Sequence, residues 1–458
     1  MNPRPGPGLF GALFGCPAIA AEVDDHAWLV AMLDVERALA AAGERAGIVP
    51  AAAAAEIAAA CTIARFDIDD LGRRALHSGN PVVPMVADLE ALVTVESRPY
   101  VHLGATSQDI LDTAMSLVAR RALGVLAGDL DAVAEHCATL ADTHRTTVMV
   151  ARTLLQQAAP TTFGLRCAGW LVAVDEARTG VVAIRDGGLA VQLGGAAGTL
   201  ASLDGDGPEV AHHLAQELGL AEPAIPWHTD RARVAALATT LGVVAGVLGK
   251  IGLDVVLLAQ TEVGEIHEGG EPGEGGSSTL PQKRNPVRAV LITAIARRVP
   301  GLVATVLAAM AQEHERAAGS WHAEWETITE LLRLAGGAAF HARHMLAGLQ
   351  VDPARMRAGV EASGGQVMAE SVATRLGRSL GRSAAHELVG RCSREAAAAN
   401  LPLRDALLAD ATVRAHLSTE DVLRALEPDA YLGACGALID RALAAHRSVQ
   451  PAVRPDTR

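Results

Sequence analysis

The chain has few aromatic side chains: Phe, Tyr and Trp together make up 3% of its 458 residues. Half of it is hydrophobic all the same, and alanine and leucine dominate, which favours helix over sheet. None of Cys16, Cys61, Cys137, Cys167, Cys392 and Cys435 stands in a Cys-x-x-Cys pair. No disulfide framework or zinc spacing appears among them, and a reducing cytoplasm is the natural setting. Between Met1 and Phe14 there is no basic segment followed by a long apolar run, so a secretory signal is not expected. Positive charge is in deficit. The formal net charge of -13 argues against nonspecific nucleic-acid binding, and any anion site must be a local basic pocket. Strand signals are weak, with brief pairing expected only at Leu189–Leu193, and no internal repeat is present. The most helix-like uncharged stretch, Val234 to Gly249, is too short for a comfortable membrane span. It reads as a helix buried on all sides in a bundle, with no membrane partner.

What is present is helical periodicity over a length that buries a large core in two or three domains. Ala27 to Ala42 carries Leu29, Met32, Leu33 and Leu39 at helical spacing and stops at Gly43. A turn-rich patch, His77-Ser78-Gly79-Asn80-Pro81, interrupts the pattern. Thr106 followed by Asp109 is a capping-box arrangement, so a long helix should start at Thr106 and run to about Leu140. Further helices are expected from Thr229 to about Ile266, and from Asn285 to Val299 with a break at Pro300-Gly301. A third should run from about Leu302 to Met345, kinked near Gly319. Asp352-Pro353 marks a boundary, Ser418 and Asp421 form a capping pair, and Gln450–Arg458 reads as a disordered tail. The expected fold is all-α, with three helical domains over residues 1–105, 106–350 and 351–458. Helices of this length imply a central bundle, and their nearly all-round apolar character implies burial against other subunits.

The densest chemistry lies in one loop. Gly269, Gly270, Gly273, Gly275 and Gly276 precede Ser277, Ser278, Lys283, Asn285 and Pro286. Asn285 suits an N-cap and Pro286 the first helical position, so a mobile loop should end on a rigid helix. A hydroxyl and an ammonium on such a loop suit delivery of a catalytic group to an anion. Either serine could serve, once a nearby cation and backbone amides lower its pKa. Thr106 and Ser107, at a helix start, offer amides, hydroxyls and the helix dipole to a carboxylate, or simply cap the helix. His102, four residues earlier, either joins that ligand or is structural. Of Arg231 and Arg233, Arg231 is the candidate carboxylate clamp. Gln312–Arg316 and Ser320–Glu326 concentrate Trp321, Trp325, His314 and His322 in a ring-poor chain, forming either a site wall or a subunit contact. Glu262 either orients a base or ends a helix in solvent.

Gly276–Pro286 spells Gly-Ser-Ser-x-x-Pro-x-Lys-x-Asn-Pro, with Leu280 where methionine is usual. With Thr106-Ser107 and Arg152–Pro160 ahead of it in that order, the chain resembles the fumarase/aspartase superfamily over about residue 8 to residue 445. His102–Asp109, Gly194–Thr199, Trp227–Thr229 and Gln312–Glu326 look closest to the bacterial 3-carboxy-cis,cis-muconate cycloisomerases. Two departures stand out. Thr153-Leu154 replaces the Thr-His of the fumarases and lyases, a histidine the cycloisomerases also lack. Gln157 stands where many relatives have histidine. The resemblance implies a homotetramer whose active sites are shared between subunits, acting on a small polycarboxylate without metal or organic cofactor. It implies Ser277, Lys283 and Asn285 as catalytic residues, and Thr106, Ser107, His102, Arg231, Arg316 and His322 as substrate-binding ones. The implied reaction is closure of 3-carboxy-cis,cis-muconate to 4-carboxymuconolactone through an aci-carboxylate. The alternative is a fumarate-forming β-eliminase acting on adenylosuccinate, argininosuccinate or nitrosuccinate. A noncatalytic helical scaffold would not keep the signature loop intact.

Overall fold

A computed structural model describes residues 8–270 and 273–449. The tail Gln450–Arg458 lies outside the described residues. The fold is all-α and 71% helical. Six helices among the described residues exceed twenty residues: Asp25–Arg45, Ser107–Thr143, Phe163–Ala183, Ala232–Leu258, Val287–Ala308 and Ser320–Ala347. The Ser107–Thr143 helix shows why: Ile110, Leu117, Leu123, Leu130 and Val133 recur at helical spacing and are all buried. Two compact units can be distinguished within the described residues. One comprises 8–131, 176–250 and 291–342, the other 132–175, 251–270, 273–290 and 343–449.

In the first unit the Ala232–Leu258 and Val287–Ala308 helices touch through small residues. A Cβ on Gly249 would lie 2.4 Å from Ala296 Cβ, so only glycine allows that approach. In the second unit, Val148–Thr153 and Gln156–Thr162 form an antiparallel hairpin, and Ile266–His267 pairs with Gln350–Val351. Arg152 on the hairpin holds buried Glu265 in a two-point bond of 2.9 and 2.7 Å. Trp170 donates to Asp254 at 2.7 Å. The C-terminal helices bury Val372, Leu376, Leu388, Cys392, Leu403 and Leu407 together.

Several expected elements differ. The hairpin was not expected: its turn is Leu154-Leu155, both with positive φ (51° and 63°), a conformation that normally selects asparagine and glycine. The helix expected over Thr229–Ile266 is Ala232–Leu258, because Asp230 Oδ1 accepts the Ala232 amide at 3.1 Å and Ile266 enters a strand. Pro300 does not break its helix, which runs on to Ala308, with Ile295, Val299 and Val306 buried around it. That burial offsets the ~3 kcal/mol such a proline costs. The single kinked helix over Leu302–Met345 is instead two, separated by Ala309–Gly319, where His314 (φ 46°) and Gly319 (φ 115°) leave helical space. The Ser418–Asp421 capping box is present, and Ala190, within the short segment expected to pair, bridges Ala221. The Ala232–Leu258 helix is not buried all round. Leu241, Val244 and Leu248 are fully buried, while Val243 is 57% and Leu253 46% exposed. By length and composition alone, this helix and Val287–Ala308 could cross a membrane.

Glu265→Ala would strand Arg152. It should lower the unfolding free energy by roughly 3 kcal/mol, read from the urea midpoint at unchanged m-value.

Candidate active site

Ser107 opens the 37-residue helix, and the Thr106 amide donates to Asp109 Oδ2 at 2.9 Å. The cap is only part of what Asp109 does. This buried carboxylate also accepts the amides of Gly194 (3.0 Å) and Gly195 (2.9 Å), and His228 Nε2 lies 2.6 Å from its Oδ1. Asp109 therefore binds three chain segments at one helix start. First-turn amides carry partial positive charge and lack intrahelical acceptors, so this terminus favours an anion. Arg316 stands beside it, donating to Gln108 Oε1 (3.1 Å), Gly195 O (3.2 Å) and Ala196 O (3.0 Å). Those acceptors are all neutral, so they fix the guanidinium without cancelling its charge. Thr106, Ser107 and Arg316 are thus brought into one neighbourhood through Gln108.

His102 has positive φ (55°), and its Nδ1 lies 2.7 Å from buried Glu36. Burial alone would lower its pKa, but the charge and hydrogen bond of Glu36, helped by Asp109, carry it above the ordinary 6.5. Nε2 is the nitrogen left for a ligand.

Arg231 is placed otherwise than expected. It is 1% exposed and lies between two carboxylates. Nη1 and Nη2 donate to Asp112 at 2.8 and 3.0 Å, while Nε and Nη2 donate to Glu324 at 3.0 and 2.5 Å. The guanidinium also lies over the Trp227 ring at 4.9 Å. Its donors go to internal acids, which makes it a structural clamp. Trp321 Nε1 donates to Asp112 at 3.0 Å and Gln312 to Glu324 at 3.1 Å, completing the network. Burial raises the Glu324 pKa, with Arg231 opposing. His322 is exposed, edge-on to Trp321 and tilted against Trp325, and 3.1 Å from Gly79 O in the turn-rich patch.

The signature loop belongs to the second unit. Its base is shut by an antiparallel bridge between Gly276 and Arg284, and by Asn285, whose backbone amide (2.8 Å) and side-chain amide (3.0 Å) both donate to Gly275 O. Gly275 has φ 73°, and a Cβ there would lie 2.4 Å from Asn285 O, so the closure needs glycine. Asn285 is consequently a clasp of the loop and not the expected N-cap. The helix starts at Val287, with Glu268 accepting the amides of Arg288 (3.1 Å) and Ala289 (2.7 Å). Ser277 Oγ accepts the amides of Thr279 (3.3 Å) and Leu280 (3.1 Å). Lys283 is exposed and, with Lys250, is one of 2 lysines in the chain, a scarcity that itself marks the position. At the hairpin tip Leu154 is 97% exposed, and Gln157, also exposed, pairs with Arg152.

Asp112, Gln108, His228, Glu324 and Glu268 carry this geometry without having been named as site candidates by sequence, and Asp109 was read only as a helix cap. Among the described residues no group of three or more His, Cys, Asp or Glu could hold a metal ion.

Arg231→Gln leaves Asp112 and Glu324 buried without their cation and should cost roughly 3–5 kcal/mol of stability in denaturant unfolding. A ligand-binding arginine would change affinity instead. For His102 the folded pKa lies above the unfolded one. The stabilisation is therefore complete below about pH 6.5 and lost as pH rises through the raised value. His102→Gln should remove this pH dependence, checked by urea unfolding from about pH 5 to about pH 9.

Residues 18–301 match the family model described as "Lyase", and residues 365–442 match "Adenylosuccinate lyase C-terminus". The chain is 46% identical to a 3-carboxy-cis,cis-muconate cycloisomerase of Pseudomonas aeruginosa, over 98% of each chain. It is 45% identical to a nitrosuccinate lyase of Streptomyces davaonensis, over 95% of this chain and 94% of that one. Among solved structures, the 3-carboxy-cis,cis-muconate lactonizing enzyme from Pseudomonas putida superposes with a TM-score of 0.91 at 43% identity, covering 96% of this chain and 99% of that one. Full-length likeness at this level, on an all-helical frame with the Gly-Ser-Ser loop in place, makes the chain a member of the fumarase/aspartase superfamily of lyases.

Proposed function

We propose that this chain is a 3-carboxy-cis,cis-muconate cycloisomerase, closing its substrate to 4-carboxymuconolactone. The observation that carries the reading is 46% identity to a cycloisomerase along nearly the whole of both chains. The site chemistry agrees with it. The substrate is a trianion, and the Thr106–Ser107 helix start with Arg316 offers amides, hydroxyls and a guanidinium bonded only to neutral acceptors.

In the reaction, one carboxylate oxygen adds to a conjugated double bond and forms the lactone C–O bond. The displaced π pair moves onto a neighbouring carboxylate as an enediolate, and a proton added to the α carbon completes the isomerisation. An enediolate needs fixed donors and exclusion of water. Lys283 supplies the cation of the loop, and Asn285 holds the loop shut at its base. Ser277 is the proton carrier: two amides on its oxygen favour the alkoxide, whereas Ser278 lies exposed beside it. His102 and His322 complete the proposed substrate-binding set, and Leu154 contributes no proton.

The working form we propose is a cytoplasmic homotetramer with active sites shared between subunits. The six cysteines are free and buried, as a reducing compartment allows. Val243, Leu253, Val290 and Leu307 are exposed apolar side chains on the Ala232–Leu258 and Val287–Ala308 helices, surface suited to other copies of the chain. The nitrosuccinate lyase relative supports one alternative, β-elimination from a substituted succinate.

Purified protein given 3-carboxy-cis,cis-muconate should bleach the diene absorbance and yield lactone without fumarate. Parallel trials with adenylosuccinate, argininosuccinate and nitrosuccinate should yield none; fumarate there would establish the alternative. Ser277→Ala should lower kcat by about 100-fold or more with assembly unchanged by light scattering.

A further inference from the structure

We propose that Glu268 is the positioning residue of the signature loop: its carboxylate joins the strand entering the loop to the helix leaving it, and so sets where Ser277 and Lys283 are held. The role in turnover rests on the functional reading above; the tie itself does not.

Glu268 directly follows the Ile266–His267 strand, which is fixed by pairing with Gln350–Val351. The next residue, Gly269, donates its amide to Gly348 O at 2.9 Å. The entering stem is therefore anchored. On the leaving side, Arg288 and Ala289 are first-turn residues whose amides have no intrahelical acceptor. Their acceptors are the two oxygens of Glu268, Oε2 at 3.1 Å and Oε1 at 2.7 Å. A carboxylate here also meets the positive end of the helix dipole. Asn285, the residue placed by sequence to cap this helix, is turned inward to Gly275 instead. The cap thus comes from across the loop. A second tie runs parallel to it, with Arg288 Nη2 2.7 Å from Glu274 Oε1. Burial raises the Glu268 pKa, with the Ala289 and Arg288 amides opposing, which marks the carboxylate as partly desolvated. An ordinary surface cap stabilises one helix. This one fixes the distance between the two ends of a segment that presents a hydroxyl and an ammonium, and small misplacements of such groups slow catalysis strongly.

Three measurements test this. In the wild-type protein, hydrogen exchange at the Arg288 and Ala289 amides should be slowed relative to uncapped first-turn amides. In Glu268→Gln and Glu268→Ala, tryptic cleavage after Lys283 and Arg284 should quicken about fivefold to tenfold, the factor expected on losing a capping interaction. With the cycloisomerase substrate, kcat should fall about tenfold or more while KM stays within about twofold. Should Glu268→Ala fail to fold, the glutamine variant and wild-type exchange still decide the matter. Unprotected amides in the wild type, or a Glu268→Gln protein cut and turned over at wild-type rates, would overturn the proposal. So would a fall in kcat with exchange and cleavage unchanged. Exchange and proteolysis need no substrate. If no tricarboxylate turns over at all, the functional reading fails while the role of Glu268 in holding the loop is still decided.

Discussion

Two buried aspartates three residues apart, Asp109 and Asp112, hold the first unit's chemistry in place. They project from the start of one long helix into an interior where an unpaired carboxylate would cost several kcal/mol. Each is matched by groups distant in sequence. Asp109 takes the Gly194 and Gly195 amides and His228, and Asp112 takes Arg231 and Trp321. Satisfying these two charges fixes the relation of the helix start to the glycine turn, the Trp227–Arg231 segment and the start of the Ser320–Ala347 helix. Replacing the pairs by apolar residues could match their stability, but it would not specify that arrangement.

The proposed anion site in an acidic protein follows from how the remaining positive charge is distributed. Arg231, buried among the described residues, is more than offset by two carboxylates and adds no net positive charge for a ligand. Arg316, in the Ala309–Gly319 stretch between two helices, is held by carbonyl and amide oxygens that leave its charge intact. Helix amides add to it without needing a side chain. In the proposed site, affinity for a polyanion would thus be built from groups that cannot be found by counting charges.

The parts of the fold and site that sequence made legible are those encoded locally. The long helices follow from apolar periodicity, and the Ser418–Asp421 box from two residue types at one spacing. The signature loop was legible because its chemistry sits within eleven consecutive residues, Gly276–Pro286. What stayed hidden is encoded between distant residues. Arg231 looked like a clamp for a ligand because neither Asp112 nor Glu324 is near it in the chain. Asn285 looked like a cap because Glu268 competes for that position from the other side of the loop. Pro300 looked like a break because burial around it is a tertiary fact. The Ala309–Gly319 interruption runs through residues that individually tolerate helix, apart from the glycine.

The hairpin tip bears on how the chain reaches this structure. Left-handed backbone at Leu154 and Leu155 is resisted by roughly 1–2 kcal/mol per residue, and exposure denies both side chains compensation within the single chain. A turn that opposes its own geometry is a poor nucleus. At the other end, Phe163 donates to Thr147 O at 2.9 Å, and Val148 and Val150 are buried where they pair with Thr162 and Pro160. The ribbon's pairing is therefore held mainly at its buried open end, the reverse of a hairpin led by an asparagine-glycine turn.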